Sequence, residues 1–178
     1  MKYTPEDQTA SATAPSRRRF VLALAGALAA GAATRSALAT SSQPQLIEVF
    51  KTATCGCCGA WVDHLKANGF QVKVNDVADT AVSRKQLGMP EKFGSCHTAR
   101  VGGYVVEGHV PALDIKRLLA TRPVALGLAV PGMPVGSPGM EDGSRRDAFQ
   151  VLLIDRRGQD SVFASYPAAR AAAKPART

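Results

Sequence analysis

Three thiols lie within four residues, at Cys55, Cys57 and Cys58 in the stretch Thr54-Cys55-Gly56-Cys57-Cys58-Gly59. The fourth cysteine, Cys96, stands beside His97 in Ser95-Cys96-His97-Thr98. An exposed thiolate oxidises and captures metal ions, so three thiols in one glycine-flanked turn call for a chemical role. Cys55 and Cys58 have Cys-x-x-Cys spacing, which serves two chemistries. At a strand-to-helix turn, free backbone N–H groups and the helix dipole stabilise a thiolate, and a low-pKa pair exchanges disulfides. The same turn aims two sulfurs at a common point and can hold a metal. Cys57 weighs toward the metal, because a third thiol beside a redox pair invites scrambling while a metal site gains a ligand. The two cysteine stretches are expected to meet and form one soft-metal or redox site.

Soft thiolates select Cu(I), zinc or iron–sulfur clusters. Structural zinc normally uses two paired knuckles, and this chain has one, so zinc fits less well. Cu(I) fits best, and the Cys-x-Cys and Cys-Cys spacings let sulfurs bridge ions in a multinuclear thiolate cluster. Cys96 beside a histidine is favoured as a ligand over a buried core thiol. His97 and His109 are candidates for extra ligands or for hydrogen-bond partners of ligands, although a histidine between Gly108 and Pro111 equally suits a turn. His64 reads as structural or exposed, and Trp61 as core or as a lid on the site. Met133 and Met140 lie in a Pro/Gly-rich segment, where a thioether either fills a gap or hands on Cu(I).

Export agrees with this chemistry. Ser16-Arg17-Arg18-Arg19-Phe20-Val21-Leu22 has the twin-arginine arrangement, Phe20 to Ala33 is mildly apolar, and Ala37-Leu38-Ala39 suits a signal peptidase. That apolar stretch is shorter than the ~20 residues a membrane-crossing helix needs, and Arg35 interrupts it. Residues 1–39 therefore read as a cleaved twin-arginine signal with the mature start at Thr40, leaving no stable membrane span. The expected destination is the periplasm, an oxidising compartment. The net charge of +8 on 178 residues includes a surplus of three positive charges in that signal, and the remaining basic residues are scattered. That is an ordinary solubility charge and argues against nucleic acid as a partner.

Around the cysteines, the pattern predicts an α/β domain over 46–166, preceded by a linker at 40–45 and followed by a flexible tail at 167–178. Leu46 to Phe50 reads as a central strand, Ala60 to Ala67 as a helix stopped by Asn68-Gly69, and Phe70 to Val74 as a second strand. Asp79 or Thr80 caps a helix ending before Gly88 and Pro90. Thr98–Val101 and Tyr104–Glu107 form a hairpin about Gly102-Gly103, and Ala112–Ala120 a helix. A βαβ half followed by a ββα half is the thioredoxin-like arrangement, with a central mixed sheet and the cysteine turn at the first helix N-terminus. Residues 123–144 carry Pro123, Pro131, Pro134 and Pro138, which argue for a packed loop rather than a helix or central strand. Phe149–Ile154 and Ser161–Tyr166 make a closing hairpin.

The motifs Cys55-Gly56-Cys57-Cys58-Gly59-x-Trp61-x-x-His64-Leu65, Ser95-Cys96-His97-Thr98-Ala99, Gly102-Gly103-Tyr104-x-x-Glu107-Gly108-His109-Val110-Pro111 and Gly127 through Glu141 resemble one family. It is the family of small exported metal-binding proteins, long catalogued as a domain of unknown function, that includes the copper-resistance protein CopG. The resemblance covers roughly 46–166. It implies a thioredoxin-like fold and copper binding with Cys55, Cys57, Cys58 and Cys96 as ligands. The resulting expectation is an exported protein that binds Cu(I) for copper resistance or handling, by storage, redox cycling, or transfer to other periplasmic copper-handling proteins. The competing expectation is a thiol-disulfide oxidoreductase using Cys55 and Cys58.

Overall fold

The computed structural model describes residues 44–169. The expected signal at 1–39 and most of the expected tail lie outside the described residues. The elements run β1 (Leu46–Lys51), α1 (Gly56–Ala67), β2 (Gln71–Asp76), α2 (Thr80–Gln86), a 3-10 turn (Glu91–Phe93), β3 (His97–Val101), β4 (Tyr104–Glu107), α3 (Ala112–Thr121), β5 (Gly127–Ala129), β6 (Phe149–Ile154) and β7 (Asp160–Tyr166). They build a mixed sheet in the order β2-β1-β3-β4-β5-β6-β7. β1 pairs parallel to β2 and antiparallel to β3, and β3 pairs antiparallel to β4. β5 pairs parallel to β4 and antiparallel to β6, and β7 closes the far edge antiparallel to β6.

Strand alternation sends successive side chains to opposite faces, and each face is covered differently. On one face Ile47, Val49, Ala99, Val106, Leu128 and Val151 pack against Trp61, Val62 and Leu65 of α1 and Ile115 and Leu118 of α3. On the other, Val105, Ala129 and Ile154 meet Met89 and Phe93, beside α2. A fully buried leucine or isoleucine contributes on the order of 1.5–3 kcal/mol, so the larger cluster holds α1 and α3 firmly to the sheet.

Several expected boundaries appear where local chemistry puts them. Asp79 caps α2 by accepting from the Ala81 N–H at 2.8 Å. Gly69 ends α1 at φ +84°, and the Gly102-Gly103 turn has φ of +55° and +90°, as a two-residue hairpin loop requires. Trp61 is fully buried core, with Nε1 donating to the Val110 carbonyl at 2.9 Å.

Two expectations need correction. The helix starts at Gly56 rather than Ala60, so the cysteine turn is itself the first turn of α1. The segment 123–144 does supply a central strand, because β5 lies between β4 and β6. The prolines bracket that strand without entering it: Pro123 precedes it, Pro131 follows it, and Gly127 to Ala129 are free to pair. Gly127 is required there, since a Cβ would fall on the Val105 carbonyl of β4. The rest of the segment is loop, as expected.

Candidate metal centre

Two pieces of chain carry the cysteines. Cys55 occupies the N-cap position of α1, in extended geometry (φ −75°, ψ 97°), with no side-chain cap and no acidic residue in the first turn. The backbone N–H groups at that end have no capping side chain, and the helix dipole favours negative charge on the sulfurs beside them. Gly56 and Gly59 leave open space where a Cβ would stand, so nothing crowds this rim. Cys96 stands on the other side, in the last residue before β3. It reaches the α1 turn because β3 is the sheet neighbour of β1, the strand that feeds that turn.

One sulfur of each of Cys55, Cys57, Cys58 and Cys96 lies within 4.8 Å of the others. Cys55 and Cys58 are joined as a disulfide, with Cα atoms 5.3 Å apart, while Cys57 and Cys96 are free thiols. Cys57 Sγ is 3.5 Å from Cys55 Sγ and 3.7 Å from Cys96 Sγ, and Cys58 Sγ is 3.5 Å from Cys96 Sγ. Sulfurs sharing one tetrahedral ion at ~2.3 Å stand about 3.8 Å apart, and the Cys55–Cys57, Cys57–Cys96 and Cys58–Cys96 pairs already have close to that spacing, while the bonded Cys55–Cys58 pair does not. All-sulfur donors suit a thiophilic ion. Occupation through all four as thiolates requires the disulfide to be reduced first.

Two histidines wall the Cys96 side, and Cys96, His97 and His109 form a second close group. His109 Nε2 is 3.1 Å from Cys96 Sγ, and its Nδ1 is 2.8 Å from the Pro138 carbonyl. A carbonyl only accepts, so Nδ1 carries the proton and Nε2 presents a lone pair to Cys96. Burial lowers the pKa of His109, which keeps the ring neutral. His97 is fully buried, with Nδ1 3.4 Å from Cys96 Sγ, its ring 4.3 Å from Trp61 and 4.9 Å from His109. Its Nε2 has no hydrogen-bond partner among the described residues. Burial, and then the neighbouring His109, push its pKa down to about 3. Burial also lifts the Cys96 thiol to about 12, with the Cys57 sulfur adding to the effect.

The Pro/Gly segment roofs the centre. Gly139, at φ +84°, passes so close to α1 that a Cβ would lie 2.7 Å from the Cys57 carbonyl and the Trp61 nitrogen. Pro138 holds His109, and the Gly132 N–H donates to the Gly94 carbonyl at 3.1 Å. The methionines are placed differently. Met133 is 54 % exposed, and Met140 is partly buried in a turn closed by its N–H on the Ser137 carbonyl. Among the described residues, no hydrogen bond ties either to the cysteines. His64 has a structural contact, its Nε2 accepting from the Ala112 N–H at 3.1 Å at the start of α3.

Sequence reasoning missed the polar support beneath Cys96. Glu107 and Arg84 are both buried, and Arg84 Nε donates to Glu107 Oε1 at 2.9 Å. Glu107 Oε1 accepts the Ser95 N–H at 2.7 Å, and Arg84 Nη2 donates to the Ser95 carbonyl at 2.6 Å. A signal was present: a glutamate ending the otherwise apolar run Tyr104-Val105-Val106-Glu107 in a central hairpin strand needs a buried partner.

Comparison with known proteins places this geometry. The family model described as "Protein of unknown function, DUF411" matches residues 93–140, the Cys96 half of the site. No curated protein matches the chain. A solved structure titled "Copper resistance protein copG- Form 2" is 53 % identical, with a TM-score of 0.68, over 70 % of this chain and 100 % of that one. A second, titled "Copper resistance protein copG- Form 1", is 53 % identical with a TM-score of 0.67, over 70 % of this chain and 99 % of that one. The chain belongs to the DUF411 family that includes the copper resistance protein CopG.

Proposed function

We propose that this protein binds copper as Cu(I), with Cys55, Cys57, Cys58 and Cys96 as thiolate ligands in a site that can bridge more than one ion. Its role is copper resistance or handling in the periplasm, after export on the twin-arginine signal at 1–39. The observation that carries the reading is the convergence of four sulfurs within 4.8 Å from two pieces of chain 38 residues apart at their nearest. The names of the related structures support copper as the cargo. The order β2-β1-β3-β4, with α1 and α3 on one face, supports a thioredoxin-like core carrying β5, β6 and β7 as an extension.

The Cys55–Cys58 disulfide fits a redox role beside binding. Reducing it takes two electrons and two protons and yields two thiols, and two Cu(I) ions oxidised to Cu(II) could supply the electrons. His109, with Nε2 facing Cys96, is placed to take the Cys96 proton as the thiol becomes a ligand.

The same disulfide, at the N-terminus of α1, is the observation that favours the second reading, a thiol-disulfide oxidoreductase. The two readings part on Cys57 and Cys96. Titration of the reduced chain with a competing Cu(I) chelator tests the first: each of Cys55→Ser, Cys57→Ser, Cys58→Ser and Cys96→Ser lowers affinity. If Cys57→Ser and Cys96→Ser retain full affinity while Cys55 and Cys58 reduce a model disulfide, the oxidoreductase reading takes its place.

A further inference from the structure

We propose that Arg84 and Glu107 are positioning residues for Cys96, a buried ion pair whose task is to hold the cysteine's backbone turn against the α1 knuckle. The proposal rests on the reading of Cys96 as a copper ligand and goes beyond it to what sets the fourth sulfur in place. Cys96 follows a stretch, Gly94-Ser95, that belongs to no helix or strand. Its other backbone anchors are the Gly94 N–H on the Glu91 carbonyl, the roof loop on Gly94, and β3 from His97 onward.

The pair takes both backbone polar groups of Ser95, whose hydroxyl donates to the Gly132 carbonyl of the roof loop. Glu107 Oε1 accepts its N–H at 2.7 Å, and Arg84 Nη2 donates to its carbonyl at 2.6 Å. Both side chains are themselves anchored. Glu107 is fully buried at the end of β4, opposite Thr98 of β3, and Arg84 projects from α2 with Nη1 also donating to Glu91 Oε1 at 2.9 Å. Gly94 completes the fit, because a Cβ there would lie 3.0 Å from the guanidinium carbon of Arg84.

A buried ion pair costs much of its attraction in lost hydration, and a well-packed apolar pair would serve stability as well. The geometry accounts for its presence differently. A guanidinium fork can satisfy a carboxylate and a carbonyl at once, fixing a peptide plane, which an apolar pair cannot do. The plane so fixed is the Ser95–Cys96 peptide bond, and the Cys96 sulfur must stand 3.5 Å from Cys58 and 3.7 Å from Cys57 to share an ion with them.

The test uses the full chain, reduced and titrated with Cu(I) against a chromophoric chelator. Arg84→Lys keeps the positive charge but loses the fork, and Glu107→Gln keeps the shape but loses the charge. Each is expected to melt cooperatively yet bind Cu(I) about tenfold or more weakly, as outer partners of metal ligands do when altered. The decisive arm is a double-mutant cycle with Cys96→Ser: the double variants should bind no more weakly than Cys96→Ser alone, because the pair acts only through that sulfur. A full additional loss in the doubles, or wild-type affinity in both single variants, overturns the proposal. If Arg84→Lys does not fold, Glu107→Gln carries the cycle.

A second readout keeps the two claims apart. In the metal-free chain, releasing the turn should speed alkylation of the Cys96 thiol, and an unchanged rate in both variants also counts against positioning. Cys96→Ser with undiminished Cu(I) affinity would overturn the ligand reading instead, while the alkylation rate still reports on the clamp.

Discussion

Acid should unfold the metal-free, disulfide-bonded chain through His97, by an amount the site geometry sets. His97 is fully buried, packed at a tilt against Trp61 and edge-on to His109, and its Nε2 has no hydrogen-bond partner among the described residues. A proton on this ring meets lost hydration first and then the His109 ring, and its pKa falls from 6.5 to about 3. The sign follows directly. Below 6.5 the unfolded chain takes up the proton and the folded chain does not, so the stability present above 6.5 is lost as pH falls toward about 3. Each pH unit within that window is worth about 1.4 kcal/mol, so two units below 6.5 the loss from this one ring is about 2.7 kcal/mol. His64 and His109 shift in the same direction, both through burial, and steepen the fall. The assay is urea unfolding of the wild type and His97→Gln at a series of pH values from about 7.5 down to about 4.5. Carboxylates and the other histidines are common to both chains, so the difference between them isolates His97. That stability difference should shrink by about 2.7 kcal/mol across the series. A difference that stays constant with pH would refute the account of a neutral, desolvated ring at the site.

Two further outcomes follow from particular contacts. In Gly127→Ala the new Cβ collides with the Val105 carbonyl, so β5 must leave its pairing; several kcal/mol of stability should vanish in denaturant unfolding, and a loss under about 1 kcal/mol would contradict the register given for β4 and β5. With its thiol raised to about 12, Cys96 at pH 8 is thiolate in only roughly one molecule in ten thousand, so iodoacetamide on the oxidised chain should add one group, mapped by mass spectrometry to Cys57 and not to Cys96.

The sequence made the centre visible because cysteine chemistry is hard to hide. Three thiols in a glycine turn have few bland explanations, and the strand-turn-helix context placed them at a helix end. That Cys96 would join them was expected from the glycine-flanked motifs; His97 and His109 were open candidates, and His109 equally suited a plain turn. The redox state was not: Cys-x-x-Cys spacing permits both an open dithiol and the disulfide found here. β5 was obscured because its three residues sit in a proline-rich segment whose composition speaks for a loop, and only the close approach at Gly127 reveals a strand. Arg84 was invisible for another reason. An arginine in the short run Thr80–Gln86 reads as a solvated helix face until the fold sets Glu107 against it. The roof over Cys57 was equally out of reach, since nothing local to Pro138-Gly139 says that it crosses α1.

The most direct test of the central claim is the copper content and thiol count of the chain, reduced, loaded with Cu(I) and passed through desalting without oxygen. The account predicts that copper stays bound and that all four cysteines resist alkylation until a strong chelator removes it. A copper-free chain whose Cys55 and Cys58 simply return to their disulfide, with Cys57 still free to react, would contradict it.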